Sequence, residues 1–539
     1  MDFRDIIKMN KHRNLLLQGL WILVIGLSLV FTAQAQTKFS SRILLIPLDD
    51  RPSCLQFPVK MGLIGDAEIV TPPREMLGRF TEFGKSDEII KWLKTQNLKS
   101  FDAAIVSIDM LAYGGLVAMR VNQTDEPTAA RRIEFVREMR KLAPKMKIYG
   151  SSVIMRLAPT GDVKNEAYRE KLARWAETSV ETDEKSKIAT AKLEKEIPAF
   201  ALADYKAARV RDLKINLKTI DFVREGVIDY LILSQDDAKP KGIHVADRER
   251  LITETARLNL NEKIAVQPGA DEVSMLLLAR ALTDKYNYRP KIKAVYSSEA
   301  IRDKVMPYED RALNQTVSFH IKAVGGIETP VEKDADILFH VYASRFEANR
   351  GESFAGDIAR RISQSDKIIV ADIDPKGDVQ GAEDFFIKEL LRYRIFSFIS
   401  GFAGWNTAGN TVGTTLPQGV IANLNLPKKN KNQIENIQKS QAWFTMHRLI
   451  DDYAYHSIVR PKALKMIREN KWNSFRLTDE QTKTIEEFCL TELKPIAAKI
   501  AGEFGSDNKK VCSIDDLTFD LPWNRTFEAE INFNLQCPK

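Results

Sequence analysis

An α/β fold built on parallel strands is what this sequence predicts, and two observations predict it. From residue 42 onward, short runs of Ile, Val and Leu recur, each followed by polar or glycine residues and then by a stretch with helical periodicity. The runs are continuously apolar instead of alternating, as expected for strands covered on both faces by helices. Eight principal runs over ~380 residues suit a (β/α)8 barrel with insertions, the first architecture expected here. Two consecutive doubly wound domains, split near residue 290, use the same runs and are the alternative.

The elements follow in order. Residues 1–35 read as an export signal: Arg4, Lys8, Lys11 and Arg13 precede "LLLQGLWILVIGLSLVF", and Ala33 and Ala35 supply a small-x-small cleavage pattern. Cleavage near Gln36 would place the protein in the periplasm or outside the cell; retention as an anchor is the competing reading. The strand runs are then "RILLIPL", "DAAIVSI", "KIYGSSVIM", "DYLILS", "KIAVQ", "KAVYSS", "DILFHVYA" and "KIIVADI", with "FSFISGF" as a ninth and "AEIV" as an extra excursion. They define a domain expected over residues 41–425. Between Arg156 and Asp229 the Ala, Glu, Lys and Leu content, with apolar residues three or four apart, predicts a helical insertion at about 160–226, lying over the barrel mouth. After a Lys/Asn-rich stretch near 425, residues 430–539 are expected to form a helical region that ends in a strand-like segment.

Composition narrows the function. The 539 residues include 80 basic and 73 acidic groups, a formal net charge of +7, with no long basic block to track phosphates. Nucleic acid is not expected as a partner. The four cysteines (Cys54, Cys489, Cys512 and Cys537) contain no CxxC, and the six histidines no HExxH, so no cofactor and no transition metal are expected. Cys512 and Cys537 could staple the C-terminal segment in an oxidising compartment. His244, His340 and His456 have no catalytic partner at a readable spacing. The glycine-rich stretch "GFAGWNTAGNTVGT" lacks the GK[ST] of a P-loop and is no GxGxxG after a first strand, and the chain has no GxSxG.

Chemically active residues collect at the ends of the apolar runs: Asp50 and Arg51 in "LDDRP", Asp109 and Tyr113 in "DMLAYGGL", Arg156, Gln235 with Asp236 and Asp237, Asp271 and Glu272 in "GADE", Glu299, and "DID" at 372–374. Trp405, Asn406 and Asn410 lie in the glycine-rich "GWNTAGN". The adjacent pair Asp236–Asp237 at the exit of "DYLILS", the expected fourth barrel strand, is the most pointed of these. Like charges that close favour protonation of one member, and two carboxyl groups in a cleft are the equipment of glycosidases. In a 2-acetamido sugar the acetamido group and the leaving oxygen sit on neighbouring carbons, so neighbouring side chains can serve both. Asp237 is expected to be the general acid/base and Asp236 the residue that orients the acetamido group. Asp50, Arg51, Asp109, Tyr113, Arg156, Gln235, Asp271, Glu272, Trp405, Asn406 and Asn410 are expected to line the sugar pocket, with Trp405 as a flat platform. Each has a plainer reading, as a turn, a helix cap, an internal ion pair such as Arg51 with Asp49 or Asp50, or core packing for Tyr113.

The motifs "PLDDRP", "DMLAYGGL", "QDDAKPKG", "PGADE", "GWNTAGNTVGT" and "LPWNRTFE", in this order over residues 42–530, are similar to those of a bacterial family known as a domain of unknown function, number 4127. That resemblance implies membership and no activity. The Asp-Asp pair separately resembles the acid pairs of β-N-acetylhexosaminidases, which implies substrate-assisted retaining cleavage of a terminal GalNAc or GlcNAc residue. Two other classes remain open: a non-catalytic glycan-binding or envelope protein, and a hydrolase in which Asp49, Asp50, Asp236 and Asp237 hold a hard cation. Oligomeric state is not legible.

Overall fold

Every one of the apolar runs becomes a strand, and all of these strands pair in parallel, yet they form two open sheets. The structure, a computed structural model, describes residues 39–344, 350–373, 381–504 and 511–537. The export signal expected at 1–35 lies outside the described residues. The first sheet contains β1 (Ser41–Ile46), β2 (Ala67–Val70), β3 (Ala103–Ser107), β4 (Lys147–Ile154), β5 (Tyr230–Gln235) and β6 (Ile264–Pro268), in the order β2-β1-β3-β4-β5-β6. The second contains β7 (Lys291–Tyr296), β8 (Ile327–Glu328), β9 (Ile337–Tyr342), β10 (Ile368–Asp372) and β11 (Ile399–Ala403), in the order β11-β10-β9-β7-β8.

The expected closed (β/α)8 barrel is therefore corrected to two doubly wound sheets, which divide between Pro268 and Lys291, close to residue 290. A barrel requires each strand to pair with its successor. Here β1 lies between β2 and β3, and β7 between β8 and β9, so the winding reverses after the second strand of each sheet. "AEIV" is thus no excursion: it is β2, the edge strand of the first sheet. Such reversals open a crevice beyond the carboxyl ends of the strands, where ligands of doubly wound folds bind.

Alternate side chains of each strand feed different cores, which explains the unbroken apolar runs. In β1, Leu44 and Ile46 pack outward into one core, while Ile43 and Leu45 face a second core shared with Phe339 and Ile369 of the other sheet. Helices Val273–Lys285 and Ala408–Ala422 contribute Leu276, Leu282, Val412 and Leu416 to this shared core. Residues 41–539 accordingly behave as a single compact unit.

The insertion between β4 and β5 is helical, as expected: Arg169–Thr178, Glu184–Glu196 and Ala199–Arg224. No helix among the described residues is long and apolar enough to cross a membrane. After residue 430 come helices Lys431–Arg448 and Arg460–Glu469, joined by a π-helical segment at Leu449–Val459, and then helix Asp479–Phe504. The expected terminal strand is in fact an antiparallel hairpin, β12 (Ser513–Asp520) with β13 (Glu530–Gln536), because Pro522 and the positive φ of Trp523 and Asn524 turn the chain between them. A Cys512–Cys537 disulfide ties its two ends, while Cys54 and Cys489 are buried and free. The bridged residues are 25 apart in sequence. Removing that cross-link with a Cys512→Ser/Cys537→Ser double variant is expected to lower stability by about 3 kcal/mol, the chain-entropy value for a loop of this length. Urea denaturation checks it, and an unchanged midpoint would count against a constraining role.

Candidate functional site

A cavity of about 560 Å³ opens beyond the carboxyl ends of β1, β4, β5 and β6, and is completed by loops after β7 and β11 and by the C-terminal region. It brings together Arg51, Arg156, Gln235, Asp236, Asp237, Asp271, Asn406 and Asn410, eight residues singled out from sequence.

The Asp pair sits where β5 ends, and neither member caps a helix. The next helix, Ile243–Arg257, starts from Gly242 without a side-chain cap. Gln235 Nε2 donates to the carbonyls of Asp236 (2.9 Å) and Ile154 (3.3 Å), and the Ala238 amide donates to the Tyr308 carbonyl at 2.8 Å, so the turn is held from both sheets. Arg120 Nη2 donates to Asp236 Oδ2 at 2.5 Å, and Arg156 Nη1 to Asp237 Oδ2 at 2.5 Å. Side-chain exposure separates the two carboxyl groups: 7% for Asp236 and 39% for Asp237, so Asp237 is the one a ligand reaches. Their acidities also part. Burial alone would raise Asp236, but the guanidinium groups of Arg120 and Arg156 outweigh it and hold its carboxyl below the usual range. Asp237 moves the other way: burial and the charge of Asp236 push it up against the pull of Arg156. Burial, with Arg156 nearby, brings Arg120 down to about 10, which still leaves it charged at neutral pH.

Arg51 lines the cavity floor, but its guanidinium is occupied. It donates to Asp49 (2.7 Å), Asp271 (2.6 Å) and Glu528 (2.8 Å), all buried, and its plane lies 4.8 Å from the Trp523 ring centroid. Asp271 is pushed up to about 7, by burial first and by the neighbouring Asp49 and Glu528 charges, with Arg51 opposing. The internal ion pair is therefore the correct reading of "LDDRP", with Asp49 as the partner.

Five expected sugar ligands do not line this cavity. Asp50 accepts a 2.6 Å hydrogen bond from Trp523 Nε1 and turns away toward Arg74. Asp109 is buried and accepts the Val153 amide (3.0 Å). Tyr113 is core, its ring covered by Arg211. Glu272 is fully buried and accepts from the Ala270 amide (3.1 Å) and Asn410 Nδ2 (3.0 Å), fixing the loop instead of a ligand. That loop needs Gly269: with φ +110°, a Cβ there would overlap the Glu272 carboxylate. Trp405 is no platform, since its ring packs edge-on to Phe57 in the shared core and its Nε1 donates to Thr414 (3.0 Å). Asn410 reaches the cavity wall, but its side chain is spent on Glu272 and on Thr407, whose hydroxyl donates to it and caps helix Ala408–Ala422. Asn406, at φ 56°, lines the cavity too. Glu299 is exposed and pairs with Arg302.

The structure adds residues that the sequence reading missed. Arg120, Arg169, Arg460 and Arg525 bring guanidinium groups to the wall, and Tyr308 and Phe475, 55% and 63% exposed, bring aromatic faces. Glu309, only 3% exposed, accepts the Gly409 amide (2.8 Å) through Oε1, while Oε2 has no protein partner. Burial, with Glu272 and Asp237 nearby, carries its pKa from 4.5 to about 8. The folded chain thus holds this proton up to about pH 8, whereas the unfolded chain releases it above about 4.5, so stability falls as pH rises through that window. Glu309→Gln is expected to raise the urea midpoint at pH 9 more than at pH 4; equal changes at both would contradict the assignment.

The four aspartates of the hard-cation alternative do not cluster, because Arg51, Arg120 and Arg156 occupy three of them. Among the described residues, the carboxylate and imidazole groups close enough to share an ion are Asp451, Asp452 and His456, and Arg448 already bridges both aspartates at 2.6 and 2.9 Å.

No curated protein matches this sequence. A family profile described as "Protein of unknown function (DUF4127)" matches residues 43–532, which takes in both sheets, the cavity and nearly all of the C-terminal hairpin. On that match the chain belongs to the DUF4127 family.

Proposed function

We propose that the protein is an exported glycoside hydrolase that removes a terminal 2-acetamido-β-sugar, GalNAc or GlcNAc, by substrate-assisted retaining cleavage. The observation that carries this reading is the pair Asp236–Asp237, adjacent in sequence and both on the cavity wall, with their acidities displaced in opposite directions. Divergent carboxyl groups in one cleft are the usual basis for dividing acid and base roles. Asp237, the more exposed and the harder to ionise, protonates the leaving oxygen. Asp236, kept ionised by Arg120, orients the acetamido N–H so that its carbonyl oxygen attacks the anomeric carbon. A cavity of about 560 Å³ is in the range for small-molecule sites. Tyr308 and Phe475 take over the stacking role expected of Trp405. The Cys512–Cys537 disulfide fits an oxidising compartment.

A second reading, a glycan-binding protein without turnover, is favoured by one contact: Arg156 at 2.5 Å from Asp237 draws that carboxyl toward its ionised, non-acidic form. The test is to assay purified protein on aryl 2-acetamido-β-glycosides with and without EDTA. Turnover insensitive to EDTA is the expected result. Saturable sugar binding without turnover would leave only the binding reading, and turnover abolished by EDTA would point to metal chemistry.

A further inference from the structure

The cavity wall carries six arginines, Arg51, Arg120, Arg156, Arg169, Arg460 and Arg525, an unusual surplus for a site that binds an uncharged monosaccharide. Four of them are neutralised: Arg51 by Asp49, Asp271 and Glu528, Arg120 by Asp236, Arg156 by Asp237, and Arg525 by Glu528. The other two have no carboxylate partner among the described residues. Arg169 Nε donates to the Pro159 carbonyl at 3.3 Å and Arg460 Nε to the Thr526 carbonyl at 2.7 Å, which leaves their terminal nitrogens for something else. Six guanidinium groups face five carboxylates, Asp49, Asp236, Asp237, Asp271 and Glu528; the remaining wall carboxyl, Glu309, is held by a backbone amide and no cation. Even with all five ionised, the balance is positive by one.

A planar guanidinium with free N–H groups matches the oxygens of a carboxylate or phosphate better than a lone hydroxyl. The two unneutralised arginines also come from separate parts of the chain. Arg169 opens the first helix of the insertion between β4 and β5, and Arg460 opens the helix after the π-helical segment. Both additions to the doubly wound core thus deliver a cation to the same space.

We propose that the ligand of this cavity is an acidic amino sugar, whose carboxylate or phosphate group is held by Arg169 and Arg460. The proposal rests on the glycosidase reading for the sugar itself, but its charge argument does not. The experiment is calorimetric titration of the full-length protein at low ionic strength with four probes: N-acetylglucosamine, N-acetylmuramic acid for a carboxylate, N-acetylglucosamine 6-phosphate for a phosphate ester, and inorganic phosphate alone. At least one acidic sugar is expected to bind ~10-fold or more tightly than the neutral one, as charge-assisted hydrogen bonds allow, and raised salt is expected to narrow that margin. In Arg169→Gln and in Arg460→Gln the margin falls to about 2-fold or less, and in Arg169→Lys part of it returns, since charge survives without the planar fork. Thermal unfolding of each variant verifies that it folds. Equal affinity for neutral and acidic sugars would overturn the proposal and leave the glycosidase reading standing, as would a margin unaffected by both substitutions. Phosphate binding that depends on both arginines, with no sugar bound, would retain the anion site and sink the sugar. The two acidic probes identify which oxyanion is recognised.

Discussion

Asp237→Asn is expected to lower turnover of 2-acetamido-β-glycosides with poor leaving groups by ~10²-fold or more, the usual contribution of a positioned general acid. With a 4-nitrophenyl leaving group the loss is expected to be smaller, because that phenolate departs with little need of a proton. The asparagine keeps the size of the side chain and a hydrogen-bonding oxygen for Arg156 Nη1, so the cavity's shape should survive. The alkaline limb of the kcat/KM profile should move or vanish, since the parent limb reports loss of a proton from a carboxyl that burial and Asp236 already hold above its ordinary value. Asp236→Asn should behave differently, slowing all leaving groups by a similar factor, because its proposed partner is the acetamido group and not the departing oxygen. Equal and small effects of Asp237→Asn on good and poor leaving groups would remove the acid role from that residue.

Arg51→Met is expected to destabilise the fold by about 3–5 kcal/mol, the cost of breaking a buried ion cluster from one side. The substitution strands Asp49, Asp271 and Glu528, each buried, around an apolar side chain. Its deficit should shrink as pH falls, because protonation removes the stranded charges. Asp271 responds first, being pushed up to about 7 even beside Arg51. Arg51→Lys should fall between, keeping charge but losing the fork that serves three carboxylates at once. Urea denaturation at pH 5 and pH 8 distinguishes these outcomes, and a deficit under 1 kcal/mol at pH 8 would show that the cluster contributes little.

What could be read from the residues, and what could not, follows from the range of the forces involved. "RILLIPL" and "KIIVADI" announce two-sided strands because burial on both faces is a local property, and the "REKLARWAETS" stretch announces a helix for the same reason. The order of strands is not local. Nothing in "AEIV" says that it pairs with β1 on the edge, and eight or more good strands in a row suit a barrel as well as two open sheets. At the site, the Asp pair was legible because two adjacent carboxyl groups are chemically costly wherever they lie. Trp405 is buried where a platform was expected because a loop of glycine and asparagine has the same composition whether it cradles a sugar or caps Ala408–Ala422. Glu309 and Arg460 left no trace in the sequence: one follows a strand end by a dozen residues, the other opens a helix far along the chain, and only the tertiary fold brings both to the cavity that Asp237 lines.

The segment 521–528 contributes Trp523, Arg525 and Glu528 to a floor otherwise laid down by the first strand, and the Arg51–Glu528 contact spans 477 positions of the chain. Those residues leave the ribosome last among all that shape the binding space. A nascent polypeptide therefore has Arg51 paired with Asp49 and Asp271 but not yet with Glu528, and lacks the Trp523 ring that lies against its guanidinium. The cavity is therefore completed in one late step, when the tail docks.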